Sequence, residues 1–153
     1  MPPVFRFRLK PVLELRERTE QQRASEHAAA LDAQLAAERA RDGFILRRDR
    51  LREELVREHG GLDVATLRAT YAHLDYLDRA IIDADVRVAE CIRETETARL
   101  TLVEAAKERK VLETLRERRR EAHDEEAALV EHRELDDMNA RIFDRAALEG
   151  TVT

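Results

Sequence analysis

Between residues 67 and 112 apolar and small side chains recur at alternating spacings of three and four. Leu67, Leu74, Ile81, Val88, Thr95 and Leu102 form one row, and Thr70, Leu77, Ala84, Cys91, Ala98, Ala105 and Leu112 form the other. Rows spaced in this way make a heptad seam, the mark of a long helix that buries a narrow stripe against another helix and leaves its remaining surface in water. So polar a helix is marginal alone. It needs a partner, and the nearest candidate lies in the same chain.

Composition points the same way. Charged residues make up 40% of the 153 and aromatic residues 4%, with no Trp, so long helices are expected rather than a thick globular core. Sustained heptads and a 43% hydrophobic fraction argue against disorder. A formal charge of −5 gives no general reason to expect nucleic acid as a partner, because neutralising phosphates needs a basic surface. Residues 1–18 are basic and 121–149 are acidic, so a hairpin that brings the ends together would set unlike charges side by side. Cys91 has no second cysteine to pair with, and its seam position reads as a small packing residue. No stretch approaches the ~18 consecutive apolar residues of a membrane span, and the N-terminus has no signal-peptide run. A soluble intracellular protein without membrane insertion is expected.

In order, the chain reads as a single all-α coiled-coil domain over 1–153: an extended tail over 1–10, a first helix over 11–59, a turn at 60–62 and a second helix over 63–148. A break near 70–75, making a short helix after the turn, stays open. Residues 4–10 nearly alternate apolar with basic, the pattern of an extended segment. Phe5 and Phe7 there either dock a partner or fold back on the helix base. Pro11 suits the first turn of a helix. In the first helix Ala24, Ala28, Leu31 and Leu35 make one seam, which Leu51 and Leu55 resume out of phase, with the slip near Gly43. Gly60 and Gly61 supply a helix stop, followed by Asp63 as an N-cap. A connection this short joins antiparallel neighbours. Pairing across it sets Ala84 near Ala37 and Cys91 near Ala30. Past Leu112 the heptads fade into a run of arginines over 116–120, then carboxylates, then a new stripe at Leu135, Met138 and Ile142. The second helix outruns the first and leaves a handle for a partner.

Catalytic and metal constellations are missing from the pattern. The carboxylates are many, but a two-helix hairpin offers no concave pocket to shift their pKa values or exclude water. The five histidines form no His-x-x-x-His pair, and Gly60-Gly61 lacks the Lys-Ser or Lys-Thr of a phosphate-binding loop. No enzyme activity and no cofactor are expected.

Phe5-Arg-Phe-Arg-Leu-Lys-Pro-Val-Leu-Glu-Leu-Arg-Glu-Arg at the start, the 71–82 stretch, the Arg/Glu-rich 107–126 region, and Glu134-Leu-Asp-Asp with Arg141-Ile-Phe near the end together resemble the bacterial flagellar export protein family FliJ. The resemblance implies a component of the flagellar type III export apparatus, similar in fold to the stalk hairpin of the rotary ATPase gamma subunit. It implies three partners: the hexameric export ATPase, the cytoplasmic domain of the export-gate membrane protein, and export chaperones. It implies a cytoplasmic protein held peripherally at the inner membrane below the flagellum. Carried over by position, Phe5, Phe7, Leu9, Leu135, Met138, Ile142 and Phe143 are candidates for the ATPase contact, and Phe44, Leu46, Tyr71 and Leu74 for the export gate. The chain has Arg50 where the family can offer a further aromatic near the turn. Alternatives are the equivalent subunit of a virulence-type secretion system and a structural coiled coil that self-associates in parallel through the 67–112 seam. Gly60-Gly61 tells against the latter. A nucleic-acid-binding helical arm would need a basic face that the sequence lacks.

Overall fold

The structure is a computed structural model that describes residues 4–58 and 60–149; His59 and the first three residues of the expected tail lie outside them. Two helices, α1 (Lys10–Arg57) and α2 (Val64–Glu149), form an antiparallel hairpin, with no strand among the described residues. α2 runs unbroken through 70–75, so no separate short helix follows the turn. By packing, the chain falls into two compact units: Arg18–Ala106, and Met1–Glu17 with Lys107–Thr153.

The turn within the first of these units is built by glycine and aspartate. Gly60 holds a φ of 111°, a region that a Cβ makes costly, and the Gly61 N–H donates to the Glu58 carbonyl at 3.0 Å. Asp63 then caps α2 by accepting from the Thr66 N–H at 2.7 Å, which satisfies a donor the first turn leaves open. The bonds from Thr66 hold the Asp63 carboxyl below its ordinary range. A depressed folded-state pKa makes this contribution complete above the unfolded pKa and removes it as the pH falls through the folded value. Replacing Gly60 by alanine is expected to cost at least about 1 kcal/mol. Gly43, inside α1, would place its new Cβ in open space, so Gly43→Ala should gain about 0.5–1 kcal/mol. Thermal midpoints followed by circular dichroism should therefore move in opposite directions.

α2 supplies the core of this unit. Leu74, Leu77, Ile81, Val88, Cys91 and Ala105 are its buried residues, Leu77 and Cys91 at 1% exposure, and all six belong to the two heptad rows. The facing stripe of α1 differs from the expected one. Arg23, His27, Ala30, Gln34, Ala37, Arg41, Phe44, Arg48, Leu51 and Leu55 are half-buried in one unbroken heptad phase that passes Gly43 without a slip. Ala24, Ala28, Leu31 and Leu35 are exposed, the two leucines at 40%. Long polar side chains can lay their aliphatic stems on an apolar stripe and keep their heads in water, so α2's strong stripe sets the phase and α1 meets it with arginine and glutamine. The heads of Arg41 and Arg48 reach Asp85 and Asp78 on α2, each at 3.8 Å, and Arg52 reaches Asp78 at 3.4 Å. Such exposed pairs stabilise little individually, but they favour this register.

In the second unit the tail lies extended, with Phe5, Phe7 and Leu9 half-buried and Val4, Arg6, Arg8 and Lys10 exposed. The Lys10 N–H donates to the Phe7 carbonyl at 3.1 Å as the chain turns into α1. Leu13 is 2% exposed, and Arg16 pairs with Glu108 of α2 at 2.6 Å. From residue 128 to 149 every position of α2 is exposed.

Candidate protein-interaction surfaces

Two surfaces stand out, one in each unit. In the Arg18–Ala106 unit, an open depression of ≈ 580 Å³ runs along the side of the helix pair. Ala37 and Ala40 of α1 and Ala80 and Ala84 of α2 keep its floor low, Phe44 and Tyr76 add aromatic faces, and Arg79, Asp83 and Arg87 edge it with both signs of charge. Ala37 and Ala84 thus share one surface, as the expected pairing required. Tyr76 is exposed and stacks on His73, ring centroids 6.1 Å apart. The Arg47 guanidinium sits over the Phe44 ring at 5.9 Å. A shallow apolar floor with two aromatic side chains suits a protein segment better than a small molecule, which needs a deeper cavity.

The other surface belongs to the chain ends. Phe5 folds back against His123, ring centroids 5.6 Å apart and tilted by 59°. The His123 Nδ1 lies 3.3 Å from Asp124, and its Nε2 is buried with no hydrogen-bond partner among the described residues. Along the neighbouring end of α2, Leu135, Met138, Ile142 and Phe143 face solvent, Phe143 at 76%. Their spacing sets them on adjoining positions of one helix flank.

The resolved shifts lower Glu26, Asp63 and Glu96, chiefly through hydrogen bonds from Arg23, Thr66 and Arg99, and raise Arg99 through its bond to Glu96. Each shift holds its group in the charged form, the reverse of what a general acid requires. Among the described residues no three His, Cys, Asp or Glu side chains are grouped to hold a metal ion, and no helix is long and apolar enough to cross a membrane.

Against known proteins, the chain matches the family model of the flagellar FliJ protein over residues 5–148. The chain belongs to the FliJ family. No curated protein and no solved structure matches it. Membership makes it a component of the flagellar protein export apparatus, and the match takes in both the extended tail and the exposed end of α2.

The structure gathers some of the residues suggested by the FliJ resemblance and separates others. Phe5, Phe7, Leu9, Leu135, Met138, Ile142 and Phe143 all belong to one unit, the first three half-buried and the last four exposed. Among the residues flanking the turn, Phe44 lines the depression, whereas Leu46 and Tyr71 are exposed without lining it. Leu74 is 8% exposed, and its side chain is used in the seam. Sequence reasoning set Ala37 near Ala84 but missed Tyr76 and the depression that these alanines floor. The available signal was the four-residue spacing of Ala40 with Phe44 and of Tyr76 with Ala80, on opposite sides of the turn.

Proposed function

We propose that this FliJ-family chain is the central stalk and adaptor of the hexameric export ATPase, linking it to the cytoplasmic domain of the export-gate membrane protein and to export chaperones. It works in the cytoplasm, held peripherally at the inner membrane below the flagellum. The observation that carries the reading is the exposed apolar row at the end of α2 in a chain whose family match runs from residue 5 to 148. Apolar side chains displayed on an acidic helix suit a reversible seat in a ring, where charge governs encounter and specificity more than affinity. Phe5, Phe7 and Leu9, in the same unit, contribute to the ATPase contact, and the depression around Phe44 and Tyr76 is the gate contact. The parallel self-associating scaffold loses its footing because its seam is already occupied by α1.

The test is steady-state ATP hydrolysis by the export ATPase of the same organism with and without the full chain. Stimulation is expected, together with co-elution; neither effect at concentrations where the chain is helical would overturn the stalk role. For the gate, Phe44→Ala with Tyr76→Ala should weaken binding to the gate's cytoplasmic domain about tenfold or more and leave the ATPase effect intact.

A further inference from the structure

The tail and α2 bring arginines together within one unit. Arg16 pairs with Glu108 and Phe5 packs on His123, so residues 6–8 run beside the 109–122 stretch of α2. Phe5, Phe7 and Leu9 turn inward on this tail and leave Arg6 and Arg8 exposed. Arg116, Arg119 and Arg120 stand seven, four and three residues before His123 and therefore share the helix face that holds Phe5. All three are exposed. Counter-charges are scarce around them, because residues 4–10 hold three basic side chains and no acidic one. Lys10, Arg16, Arg109 and Arg120 reach the carboxylates of Glu14, Glu108, Glu113 and Asp124. Arg6, Arg8, Arg116 and Arg119 make no ion pair among the described residues. In the other unit, by contrast, Arg41, Arg48 and Arg52 meet aspartates across the helix pair. Unpaired like charges gathered from two elements repel one another. Folding gains nothing from that placement, whereas an anionic partner does.

We propose that Arg6, Arg8, Arg116 and Arg119 form a composite site for a short acidic segment of a partner protein. A guanidinium presents a planar fork that binds a carboxylate through two parallel hydrogen bonds, and four such forks suit several carboxylates close together. Phosphates share this chemistry, but the surroundings select a short peptide. Just beyond Arg120, residues 121–137 hold eight acidic side chains and one arginine, so a nucleic acid or an anionic membrane lying along the helix would meet repulsion. A segment with a few acidic residues ends before that stretch begins. Two of the four arginines come from the tail and two from α2, so docking of the tail through Phe5 assembles the site. This assignment does not rest on the stalk reading, because it is measured on the chain and a peptide alone.

Fluorescence anisotropy of a labelled peptide carrying six consecutive glutamates, titrated with the full chain, should show binding at low salt that weakens at least about tenfold at high salt. Arg6→Gln with Arg8→Gln, and separately Arg116→Gln with Arg119→Gln, should each weaken it at least about tenfold, with helical circular dichroism unchanged. Arg68→Gln with Arg93→Gln removes the same charge from exposed positions of the other unit and should leave binding within about twofold of the parent. Phe5→Ala keeps all four arginines but loosens the tail, and should weaken binding at least about threefold. Absence of binding at low salt would overturn the proposal. An equal loss in the Arg68/Arg93 variant would reduce the effect to net charge and overturn it too, and full binding by Phe5→Ala would overturn the composite site. Tighter binding of phosphatidylglycerol vesicles or of a DNA oligonucleotide through the same four arginines would overturn the choice of an acidic protein segment.

Discussion

Leu77→Ala should lower the stability of the Arg18–Ala106 unit by about 2–3 kcal/mol, whereas Leu31→Ala and Leu35→Ala should each stay within about 0.5 kcal/mol of the parent. All three changes delete the same atoms. Leu77 is 1% exposed and lies in the row that α2 turns toward α1, while Leu31 and Leu35 are 40% exposed. A seam between two helices has no second layer above it, so neighbouring side chains can close part of the gap, and the cost falls in the lower half of the range for buried leucines. Denaturant titration followed by far-ultraviolet circular dichroism separates the cases. Had the alanine–leucine stripe of α1 been its packed face, the two leucine changes in α1 would be the damaging ones, and that result would refute the observed phase.

The contrast explains what could be read from the residues. In α2 the buried positions are apolar or small in both rows, from Leu74 to Ala105, so periodicity alone identifies the stripe. In α1 the facing stripe includes Arg23, His27, Gln34, Arg41 and Arg48, and a search for apolar periodicity passes over it to the more hydrophobic Ala24, Ala28, Leu31 and Leu35. Burial of aliphatic stems carries no hydrophobic signal in the sequence. The apparent slip at Gly43 follows from joining residues of two different faces. Leu74 shows the converse. Its membership in a heptad row already marked it as packed, and proximity to the turn did not make it available to a partner. Phe5 and Phe7 were conspicuous because aromatic residues are scarce here, but the packing of Phe5 on His123 has no signature in the sequence. The depression around Tyr76 depends on register between two helices, and its alanines are as common on plain helix surfaces.

On the stalk reading, Ile142→Asp with Phe143→Asp should abolish most of the stimulation of the export ATPase while leaving the thermal midpoint of the chain unchanged. Both side chains are exposed, at 64% and 76%, so folding gains little from them and a bound partner gains the apolar contact. Carboxylates at these positions would also have to be desolvated in an apolar seat, which costs more than the lost contact alone. Phe5→Ala with Phe7→Ala should behave differently, lowering both the stimulation and the thermal midpoint, because these rings are half-buried and Phe5 packs on His123. Measuring hydrolysis at a temperature where every variant remains helical separates bracing from docking. If the tail variant then stimulates like the parent, Phe5 and Phe7 serve to hold the tail against α2. If the α2 variant stimulates like the parent, the ATPase seat lies elsewhere and the exposed row loses its assigned role. Loss of stimulation in the α2 variant, with its helicity and midpoint intact, assigns the contact to the end of α2.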